Sequence, residues 1–477
     1  MSSDSQRASV ETHIQRLTDV LGAAISSRAV ETVQLATSGL VGRLAAETVT
    51  APIPLPGFDN SQMDGFAVRI HDITPDDAGR ATLPLVGAVA AGSDHAELPP
   101  GAAMAVMTGA PIPEGADLVI PVEKTTAGSF DHMELPEEPE AAPEAPHHRK
   151  HRFFGYKAPL LLSTELYQTE PAESPLEAGT SVEFLGLTPA DLEPGRFIRR
   201  AGSDIAVGDT LLEPGMVLTP ARLGVLAACG FTEVPLLSRT KALVLSTGDE
   251  VRTPGSDLRP GQLYDANSSL IAATLETFGC VAETARVGTD DPSWFMENLE
   301  ALVALHHPHV IVTAGGISKG AYEVVRQALG GRGVEFGSVA QQPGGPQGWG
   351  LIHVESPGRE DPPVAVIALP GNPVSCAVSL ETLVRPALAS MGPVCPPQRR
   401  VSVKLTEQLS SPAGLRQFRR VRFTGEDEVE TVGGPSSHLL GHLAQADALL
   451  EILEEDTDLP SGTVREAILL TERRAHG

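Results

Sequence analysis

Residues 309–318 read HVIVTAGGIS, a run of β-branched and apolar side chains that ends in two glycines and a serine. Such a run is typical of a strand buried on both faces of a sheet, and the glycines indicate a tight turn directly after it. The same pattern begins at Lys241 (KALVLSTGDE) and at Val364 (VAVIALPGNP). Three buried strands that each end in a glycine-containing loop predict a parallel sheet with these loops at one edge.

Helical patterns separate these strands. SLIAATLETFG predicts a helix closed by Gly279, and a further strand, VAETARV, follows it. DPSWFMENLEALVALHH predicts a helix with Asp291 as N-cap and Pro292 in its first turn. AYEVVRQALG and NPVSCAVSLETLVRPAL predict two more helices. The alternation indicates an α/β domain with a mostly parallel sheet.

The rest of the chain differs from this domain. Apolar residues at helical spacing from Val10 to Ile25 predict an amphipathic first helix, and short apolar runs from about residue 33 to 123 predict a β-rich region. Residues 131–180 form an acidic, Pro/Ala-rich tract followed by a basic one; we expect a disordered insertion, with a docking segment as the alternative. After about residue 396 short β patterns return.

The fold class that results is multidomain, α/β plus β. We expect N-terminal and linker regions in two subdomains over 1–238, the α/β domain over 239–396, and a small C-terminal β domain over 397–477. A chain of 477 residues is long enough for three or four domains.

Charge and composition restrict the functional classes. The net charge of −26 argues against a nucleic-acid or anionic-membrane surface. No secretion signal or membrane-length apolar run is visible, so we expect a cytoplasmic protein without a transmembrane segment. The four cysteines are widely spaced and predict buried free thiols.

Four loops follow predicted strands: STGDE (246–250), GTDDP (288–292), TAGGIS (313–318) and LPGNP (369–373). Glycines allow backbone N–H groups to approach a phosphate, whereas the carboxylates would repel it unless a divalent metal lies between them. The loops therefore predict Mg²⁺ together with a phosphorylated ligand.

A second polar segment, PLPGFDNSQMDGFAVR, spans residues 54–69. Its aspartates, asparagine and serine lie among side chains that can be buried. Local Asx turns and a functional site are both open interpretations of this density of polar groups.

FDNSQMDGFAVR closely resembles a signature of the molybdopterin molybdenumtransferase family, which comprises the MoeA proteins and the gephyrin E domain. Further motifs of that family follow in order: MTGAP (107–111), RRAGSDI ending at Ile205, LSTGDE (245–250), DDP (290–292), AGGIS (314–318) and ALPGNPVS (368–375). The resemblance covers nearly the whole chain, which is similar to a divergent, actinobacterial-type member. It implies an elongated homodimer with a central molybdopterin-binding α/β domain.

The resemblance also implies an activity: Mg²⁺-dependent insertion of molybdate into adenylylated molybdopterin, with release of AMP. The implied catalytic residues are Asp64, Thr108, Asp204, Glu250 and Asp291. The implied cofactor-binding residues are Ser246, Thr247, Gly248, Gly315, Gly316, Ser318, Pro370, Gly371, Asn372 and Pro373. The implied metal ligands are Asp249, Asp291 and Glu323.

The stretch QQPGGPQGWG (341–350) departs from the family pattern. Its composition suits a loop that approaches a ligand, but Gln342 and Gly345 stand where the resemblance leads us to expect lysines. Loss of one charge-assisted contact costs roughly 1.5–3 kcal/mol. Lys319 is one replacement; another is the cluster Arg416, Arg419, Arg420 and Arg422, although a solvated strand face is the simpler interpretation of that cluster.

Two alternatives to the enzyme remain open at this point. The missing lysines and the insertion fit a gephyrin-like scaffold with weak or lost transferase activity that binds a protein partner, either a membrane-receptor tail or the tubulin-like protein FtsZ. A carrier that binds the pterin without inserting metal is the third hypothesis.

Overall fold

The computed structural model describes residues 7–94, 96–130, 181–289, 291–317, 323–354, 362–392 and 395–471. These residues form two compact units. The described residues within 1–48, 212–224 and 232–477 belong to the first unit, and those within 49–211 and 225–231 belong to the second. The predicted disordered insertion at 131–180 lies outside the described residues.

Within the described residues the helices are α1 Val10–Ile25, α2 Pro220–Ala228, α3 Ala266–Thr277, α4 Pro292–His306, α5 Val324–Leu329, α6 Pro373–Ser379, α7 Arg385–Ser390 and α8 Leu440–Leu443. The strands are β1 Val30–Gln34, β2 Val49–Thr50, β3 Asn60–Ser61, β4 Gly65–Val68, β5 Ala81–Val89, β6 Ala103–Val106, β7 Leu118–Pro121, β8 Ser181–Phe184, β9 Ile198–Arg199, β10 Thr210–Leu212, β11 Glu233–Leu237, β12 Lys241–Thr247, β13 Val251–Arg252, β14 Leu263–Tyr264, β15 Val281–Val287, β16 Val310–Ala314, β17 Val334–Ser338, β18 Gln341–Gln342, β19 Pro346–Ile352, β20 Val364–Leu369, β21 Arg400–Leu405, β22 Leu409–Ser410, β23 Arg416–Phe423, β24 Glu428–Thr431, β25 Ala448–Ile452, β26 Asp458–Leu459 and β27 Val464–Leu469.

The first unit is built on a six-stranded sheet in the order β15-β12-β16-β20-β19-β17. The pairings β15–β12, β12–β16 and β16–β20 are parallel, which confirms the predicted α/β domain. The pairings β20–β19 and β19–β17 are antiparallel. Parallel pairing places the carboxyl ends of β12, β16 and β20 at one edge of the sheet.

The antiparallel strand β19 corrects the sequence-based interpretation of residues 341–350 as a loop throughout. Gly348 and Gly350 belong to this strand, where a Cβ on Gly348 would lie 2.7 Å from Phe336 and one on Gly350 would lie 2.0 Å from the Gly333 carbonyl oxygen. These glycines therefore permit close packing inside a sheet. Because glycines in a sequence usually indicate turns, the sequence did not indicate this strand.

Both faces of the sheet are covered by helices. Val244 and Val312 face a core that includes Leu17 of α1 and Leu275 of α3, while Leu243 and other side chains face α4 and α5. Each fully buried aliphatic side chain stabilises the fold by roughly 1.5–3 kcal/mol. The predicted first helix is confirmed, and in space it packs against this sheet. The predicted domain boundaries at residues 238 and 396 stay a prediction.

The C-terminal strands form a second sheet of the first unit in the order β18-β23-β24-β21-β27-β25, and β25 also pairs with β23. This additional pairing closes a ring of five strands around a core that includes Val421 and Leu450. The predicted small C-terminal β domain is confirmed. The short strand β18 lies before this domain in the chain but pairs with its strand β23, Gln341 opposite Arg416.

The second unit contains a five-stranded sheet in the order β7-β4-β6-β5-β8. Phe66 of β4 lies at its core and meets the ring of Phe184 edge to face, with ring centroids 5.9 Å apart. The β-rich character predicted for residues 33–123 is confirmed for this region.

Burial and helix length bear on the cysteines and on membrane crossing. All four cysteines are buried and free, and burial raises the pKa of Cys280 and Cys376 to about 12. In the described part of the chain, no helix combines the length and the apolar character that a membrane crossing requires.

Candidate active site

The candidate site lies in the first unit, at the edge where three parallel strands end. In the sheet register Ser246 pairs with Ala314, and Ala314 pairs with Leu369. The loops that follow β12, β16 and β20 therefore leave the sheet at one level. This is where open α/β sheets bind their ligands.

Glycines allow these loops to approach one another. The Cα atom of Gly315 lies 3.5 Å from the position of a Cβ on Gly371, and Gly315 itself has φ +93°. Gly248 has φ +109°, and a Cβ there would lie 2.6 Å from a carboxylate oxygen of Glu250. A side chain at either positive-φ position would be strained, so the loop conformations depend on glycine.

The three loops enclose a cavity of about 970 Å³. Helices α3 and α6 begin at its wall, and a turn of the C-terminal domain completes it. The described lining residues that matter below are Ser246, Thr247, Gly248, Glu250, Asp265, Asn267, Gly315, Gly316, Glu323, Gln342, Pro370, Gly371, Asn372, Pro373, Ser436 and Ser437. The volume suits a ligand of nucleotide size.

Two polar atoms of the wall are buried without a hydrogen-bond partner in the described structure. One is Oγ of Ser246, a residue that is 3% exposed, and the other is Oδ1 of Asn267. Nδ2 of Asn267 donates to the Gly371 carbonyl oxygen over 2.8 Å, which fixes the orientation of the amide. Buried polar groups are normally satisfied, so these two atoms are exceptions at the cavity wall.

The charged side chains of the described wall are all acidic. Among the described lining residues there are three carboxylates, Glu250, Asp265 and Glu323, and no lysine or arginine. Asp265 is the N-cap of α3 and accepts a hydrogen bond from the Ser268 backbone over 2.9 Å. The favourable groups for an anion at this wall are therefore backbone N–H groups and the first turns of α3 and α6, because the charged side chains of the described lining are all carboxylates.

Two arginines support the loops from outside the cavity. The Arg286 guanidinium donates to the carbonyl oxygen of Gly248 over 3.2 Å. The Arg326 guanidinium donates to the carbonyl oxygen of Ile317 over 3.4 Å and lies over the ring of Phe336. Holding these carbonyls away from the cavity orients the peptide groups of both loops. Sequence reasoning did not identify either arginine, because neither belongs to a recognisable motif.

Gln342 lines the cavity, but its amide is already bonded. Its Oε1 accepts a hydrogen bond from Nε2 of Gln417 over 2.6 Å, and Gln417 is 2% exposed. Gly345 is not among the described lining residues. A Cβ on Gly345 would lie 3.5 Å or more from the nearest backbone oxygens and from the Ser338 hydroxyl, which are ordinary contact distances. The two expected lysine positions therefore have different surroundings.

The interpretation of the β23 arginines as a solvated strand face is wrong for Arg419 and Arg420, which are buried, whereas Arg422 is exposed. Arg419 and Arg420 are 9% and 3% exposed. Arg420 donates to the carbonyl oxygens of Val432, Gly434 and Ser436. Arg416 pairs with Glu11, Glu451 and Glu454, and Arg422 pairs with Glu430. These arginines stabilise the C-terminal domain and its turn, and none is among the described lining residues of the cavity.

Most of the predicted cofactor-binding residues meet at this cavity: Ser246, Thr247, Gly248, Gly315, Gly316, Pro370, Gly371, Asn372 and Pro373. Ser318 and Lys319 lie outside the described residues. Of the predicted catalytic residues only Glu250 lines the cavity. Asp291 belongs to the same unit, but its Oδ1 caps α4 by accepting from the Ser293 and Trp294 backbones over 2.8 and 3.1 Å.

The other three predicted catalytic residues, Asp64, Thr108 and Asp204, lie in the second unit. Oδ1 of Asp64 accepts hydrogen bonds from the backbone N–H and the hydroxyl of Thr108, over 2.7 and 2.8 Å. Both residues are exposed, as is Asp204. The structure thus brings Asp64 and Thr108 together.

Local turns account for much of the remaining polarity of residues 54–69. Nδ2 of Asn60 donates to the Phe58 carbonyl oxygen over 3.2 Å, and Oγ of Ser61 donates to that of Met63 over 2.6 Å. Burial raises the pKa of Asp59, but hydrogen bonds from the Ala201 backbone and the Arg200 guanidinium outweigh it and hold that pKa below its ordinary value. Both side chains satisfy backbone carbonyls locally, but Asn60 donates rather than accepts, so this contact is not an Asx turn and both interpretations of the segment stay open.

The described residues do not form a preassembled metal site. No group of three or more His, Cys, Asp or Glu side chains among them is arranged to hold a metal ion. Of the predicted ligands, Glu323 lines the cavity, whereas Asp249 and Asp291 do not. The carboxylates that share the wall are Glu250, Glu323 and Asp265, and Asp265 already caps α3. A magnesium ion bound there needs additional oxygen ligands, because Mg²⁺ prefers six.

Sequence reasoning missed the contribution of three wall residues. Asn267 follows the N-cap Asp265 in DANSS, and Ser436 and Ser437 belong to the turn GPSS. Nδ2 of Asn372 donates to the Ser437 hydroxyl over 2.9 Å. The signal for Asn267 was a polar residue just before the predicted helix that begins at Ser269. The serine turn carried no signal, since its proximity arises only from the packing of the two sheets.

The fold and cavity define an α/β protein with a large cavity at the carboxyl edge of a parallel sheet. Family models agree along the chain: the MoeA N-terminal region (domain I and II) matches residues 8–230, a probable molybdopterin binding domain matches 243–390, and the MoeA C-terminal region (domain IV) matches 402–470. The chain belongs to the MoeA family of molybdopterin molybdenumtransferases, which are transferase enzymes.

Individual relatives are similar over nearly their whole length. Molybdopterin molybdenumtransferase 2 of Mycobacterium tuberculosis is 36% identical over 435 residues, which is 88% of this chain and 91% of the relative. Molybdopterin molybdenumtransferase 1 of the same organism is 31% identical over 485 residues, 94% and 98% of the two chains. A crystal structure of the molybdopterin biosynthesis MoeA protein from Pyrococcus horikoshii matches with a TM-score of 0.69 at 25% identity, covering 98% of this chain and 100% of that one.

Proposed function

We propose that this protein takes part in molybdenum cofactor biosynthesis by inserting molybdate into adenylylated molybdopterin. In the proposed reaction the pyrophosphate bond of the adenylylated pterin is cleaved, molybdenum is bound by the pterin, and AMP is released. The substrates are adenylylated molybdopterin and molybdate.

The observation that carries this proposal is the cavity itself. Its volume, about 970 Å³, suits a ligand with both a pterin and a nucleotide part. Glycines at Gly248, Gly315 and Gly371 let the backbone approach a pyrophosphate, while the free Ser246 Oγ and Asn267 Oδ1 offer hydrogen-bond partners. Fixed backbone dipoles of this kind stabilise developing negative charge without reorganisation.

Mg²⁺ belongs to the proposal as a ligand that binds together with the substrate. Glu250 and Glu323 supply two carboxylates of the wall, and phosphate oxygens supply ligands that the protein lacks. The metal would neutralise phosphate charge that these carboxylates otherwise repel. Metal binding should therefore be weak in the free protein and strong in the presence of the nucleotide.

The proposed site includes residues from a second subunit. Asp64, Thr108 and Asp204 lie in the second unit, and we propose that they act through the homodimer that the family resemblance implies. The bonded pair of Asp64 and Thr108 presents an oriented carboxylate and hydroxyl at an exposed surface. Asp291, with its carboxylate on α4, is proposed to act mainly as a helix cap.

Complementation tests the proposal in a cell. A bacterial strain without its own molybdenumtransferase receives the native gene, the Glu250→Gln variant, or the Glu300→Gln variant; Glu300 is an exposed residue of α4 and serves as the matched control. Nitrate reductase activity at limiting molybdate is the readout. We expect activity from the native protein and the control, and little or none from Glu250→Gln. Failure of the native protein, expressed and folded, would contradict the proposal.

A second candidate function is a gephyrin-like scaffold with reduced transferase activity. The observation that favours it is the absence of lysine and arginine from the described cavity wall. The chain would then bind a protein partner through another surface. A pull-down with the purified dimer tests this candidate: a specific partner retained equally by native protein and Glu250→Gln supports scaffolding, and full complementation without any partner removes it.

A further inference from the structure

A second cavity lies at the opposite edge of the parallel sheet, where the strands begin. Its volume is about 380 Å³. Lys241 is the first residue of β12, His309 directly precedes β16, and Val364 is the first residue of β20; all three line it. The cavity therefore lies in the first unit and shares no described lining residue with the candidate active site.

Much of the cavity wall is apolar and rigid. It includes the side chains of Ala24, Val303, Pro308, Pro362 and Pro363. Prolines have little conformational freedom to lose when they meet a ligand. A wall of this composition is suited to the apolar body of a small molecule.

The polar part of the wall contains a histidine with a fixed tautomer. Nδ1 of His309 accepts a hydrogen bond from the Lys241 backbone N–H over 2.9 Å, so the proton of the neutral ring lies on Nε2. Burial lowers the pKa of His309, and the positive charges of Arg28 and Lys241 lower it further. His309 is therefore a neutral ring whose Nε2–H can donate.

The charges around this cavity are not balanced. Among its described lining residues the single carboxylate is Glu31, which is paired with Arg43. Lys241 belongs to the wall, and half-buried Arg28 is close enough to act on His309; neither has a carboxylate partner among the described residues. Lys241 is exposed and Arg28 is half-buried, so an anion bound here would be attracted by both positive charges.

A second histidine of the wall, His307, is held in a conformation that is uncommon for a residue with a side chain. It caps the C-terminus of α4 with φ 46° and ψ 54°, in the left-handed region, and its side chain is exposed. Glycine is the residue usually found there. The imidazole at this position thus adds a polar group at the mouth of the cavity.

We propose that this cavity binds a small organic monocarboxylate with an apolar body, the carboxylate lying toward Lys241 and the two imidazoles and the body against the prolines. Inorganic phosphate would satisfy the charge but leave the apolar wall in contact with water. An uncharged molecule of the same shape would fill the wall but leave the charge unbalanced. A carboxylate attached to a ring or a short hydrocarbon satisfies both.

The test uses the full-length protein and benzoate as the probe, with benzyl alcohol and inorganic phosphate as comparisons. Dissociation constants come from ligand-observed NMR titrations at low ionic strength. We expect benzoate to bind at least about tenfold more tightly than benzyl alcohol, as for a charge-assisted hydrogen bond. Phosphate should not compete with it at equal concentration.

Two variants distinguish specific binding of benzoate at this cavity from nonspecific electrostatic attraction to the protein. Lys241→Gln should weaken benzoate binding about two- to fivefold, the range for an exposed charge pair. His307→Gly should weaken it while preserving the fold, since glycine accepts the observed φ. The matched control is Lys404→Gln, an exposed lysine of the C-terminal domain, which should bind as the native protein does. Equal binding of benzoate and benzyl alcohol, no binding of either, or unchanged binding in both variants would overturn the proposal.

Discussion

Gln342 stands where the family resemblance leads us to expect a lysine, and its surroundings determine what a lysine would do there. Its Oε1 accepts from Nε2 of buried Gln417, and Gln417 lies beside Arg419, whose guanidinium is 3.5 Å away. Gln342→Lys removes an acceptor and adds a cation to this neighbourhood. We expect it to lower the free energy of unfolding by about 1–3 kcal/mol, the cost of an unsatisfied buried donor.

Gly345→Lys provides the matched comparison. A Cβ at Gly345 would have no atom closer than 3.5 Å. The free energy of unfolding of the variant should therefore lie within about 0.5 kcal/mol of that of the native protein. Urea denaturation of both single variants measures the difference. Equal stability of the two would show that the Gln342–Gln417 hydrogen bond contributes little. The two lysines of the family pattern are therefore not interchangeable additions to this chain.

Helix α4 begins after Asp291, which caps the helix and is also one of the predicted catalytic residues. Asp291 accepts from two backbone N–H groups of the first turn. Asp291→Ala should therefore destabilise the protein by about 1 kcal/mol, whereas Asp291→Ser, which preserves a capping oxygen, should stay within a few tenths. Urea denaturation checks both values. Loss of transferase activity in a stable Asp291→Ser protein would show a role beyond capping.

The turn Pro189–Leu192 of the second unit gives a prediction about acid stability. Burial raises the pKa of Asp191, but hydrogen bonds from Lys124 and Thr188 lower it to about 2, below its ordinary 3.8. A lowered carboxyl pKa means that the stabilisation is present above pH 4 and is lost as the pH falls toward 2. It amounts to about 1–2 kcal/mol, because Lys124 remains partly in solvent.

Asp191→Asn tests this directly. The variant should be less stable than the native protein at pH 7, and the difference should shrink between pH 4 and pH 2. Denaturation followed across that range provides the measurement. A difference that is constant with pH would mean that the carboxylate charge is not responsible.

Elements were predictable where one physical signal dominates. The buried strands β12, β16 and β20 and the helix α4 follow from apolar runs, an N-cap and a proline in the first turn. Strand β19 was not predictable, because Gly348 and Gly350 are selected for close sheet packing rather than for turns. The break between α6 and α7, a π-helical segment at Leu380–Val384, also left no mark on an apolar pattern that runs through it.

The candidate site was predictable to a similar extent. The loop glycines follow from strand-end motifs, so Gly248, Gly315 and Gly371 were found. Arg286, Ser436 and Ser437 were not, since their positions depend on tertiary packing that local patterns do not encode. Asp249 was named as a metal ligand from the strand-end motif LSTGDE; it is exposed and is not among the described lining residues of the cavity, so that assignment stays a prediction.

At the scale of the whole molecule, the two compact units have separate cores, and the described lining of the candidate active site belongs to the first. Calorimetric unfolding should therefore depart from a single two-state transition. AMP should raise the transition temperature of the first unit only, by an amount equivalent to about 2.7 kcal/mol at one hundred times its Kd. Equal shifts of all transitions, or none with saturating AMP, would contradict the placement of the nucleotide.

The most direct test of the central claim is release of AMP by the purified protein. Adenylylated molybdopterin is supplied with Mg²⁺, AMP is measured by chromatography, and molybdate is varied; Glu250→Gln and the control Glu300→Gln are assayed in parallel. We predict AMP release that requires both molybdate and Mg²⁺, is retained in the control and is strongly reduced in Glu250→Gln. A folded native protein that binds the adenylylated pterin but releases no AMP at any molybdate concentration would contradict the claim.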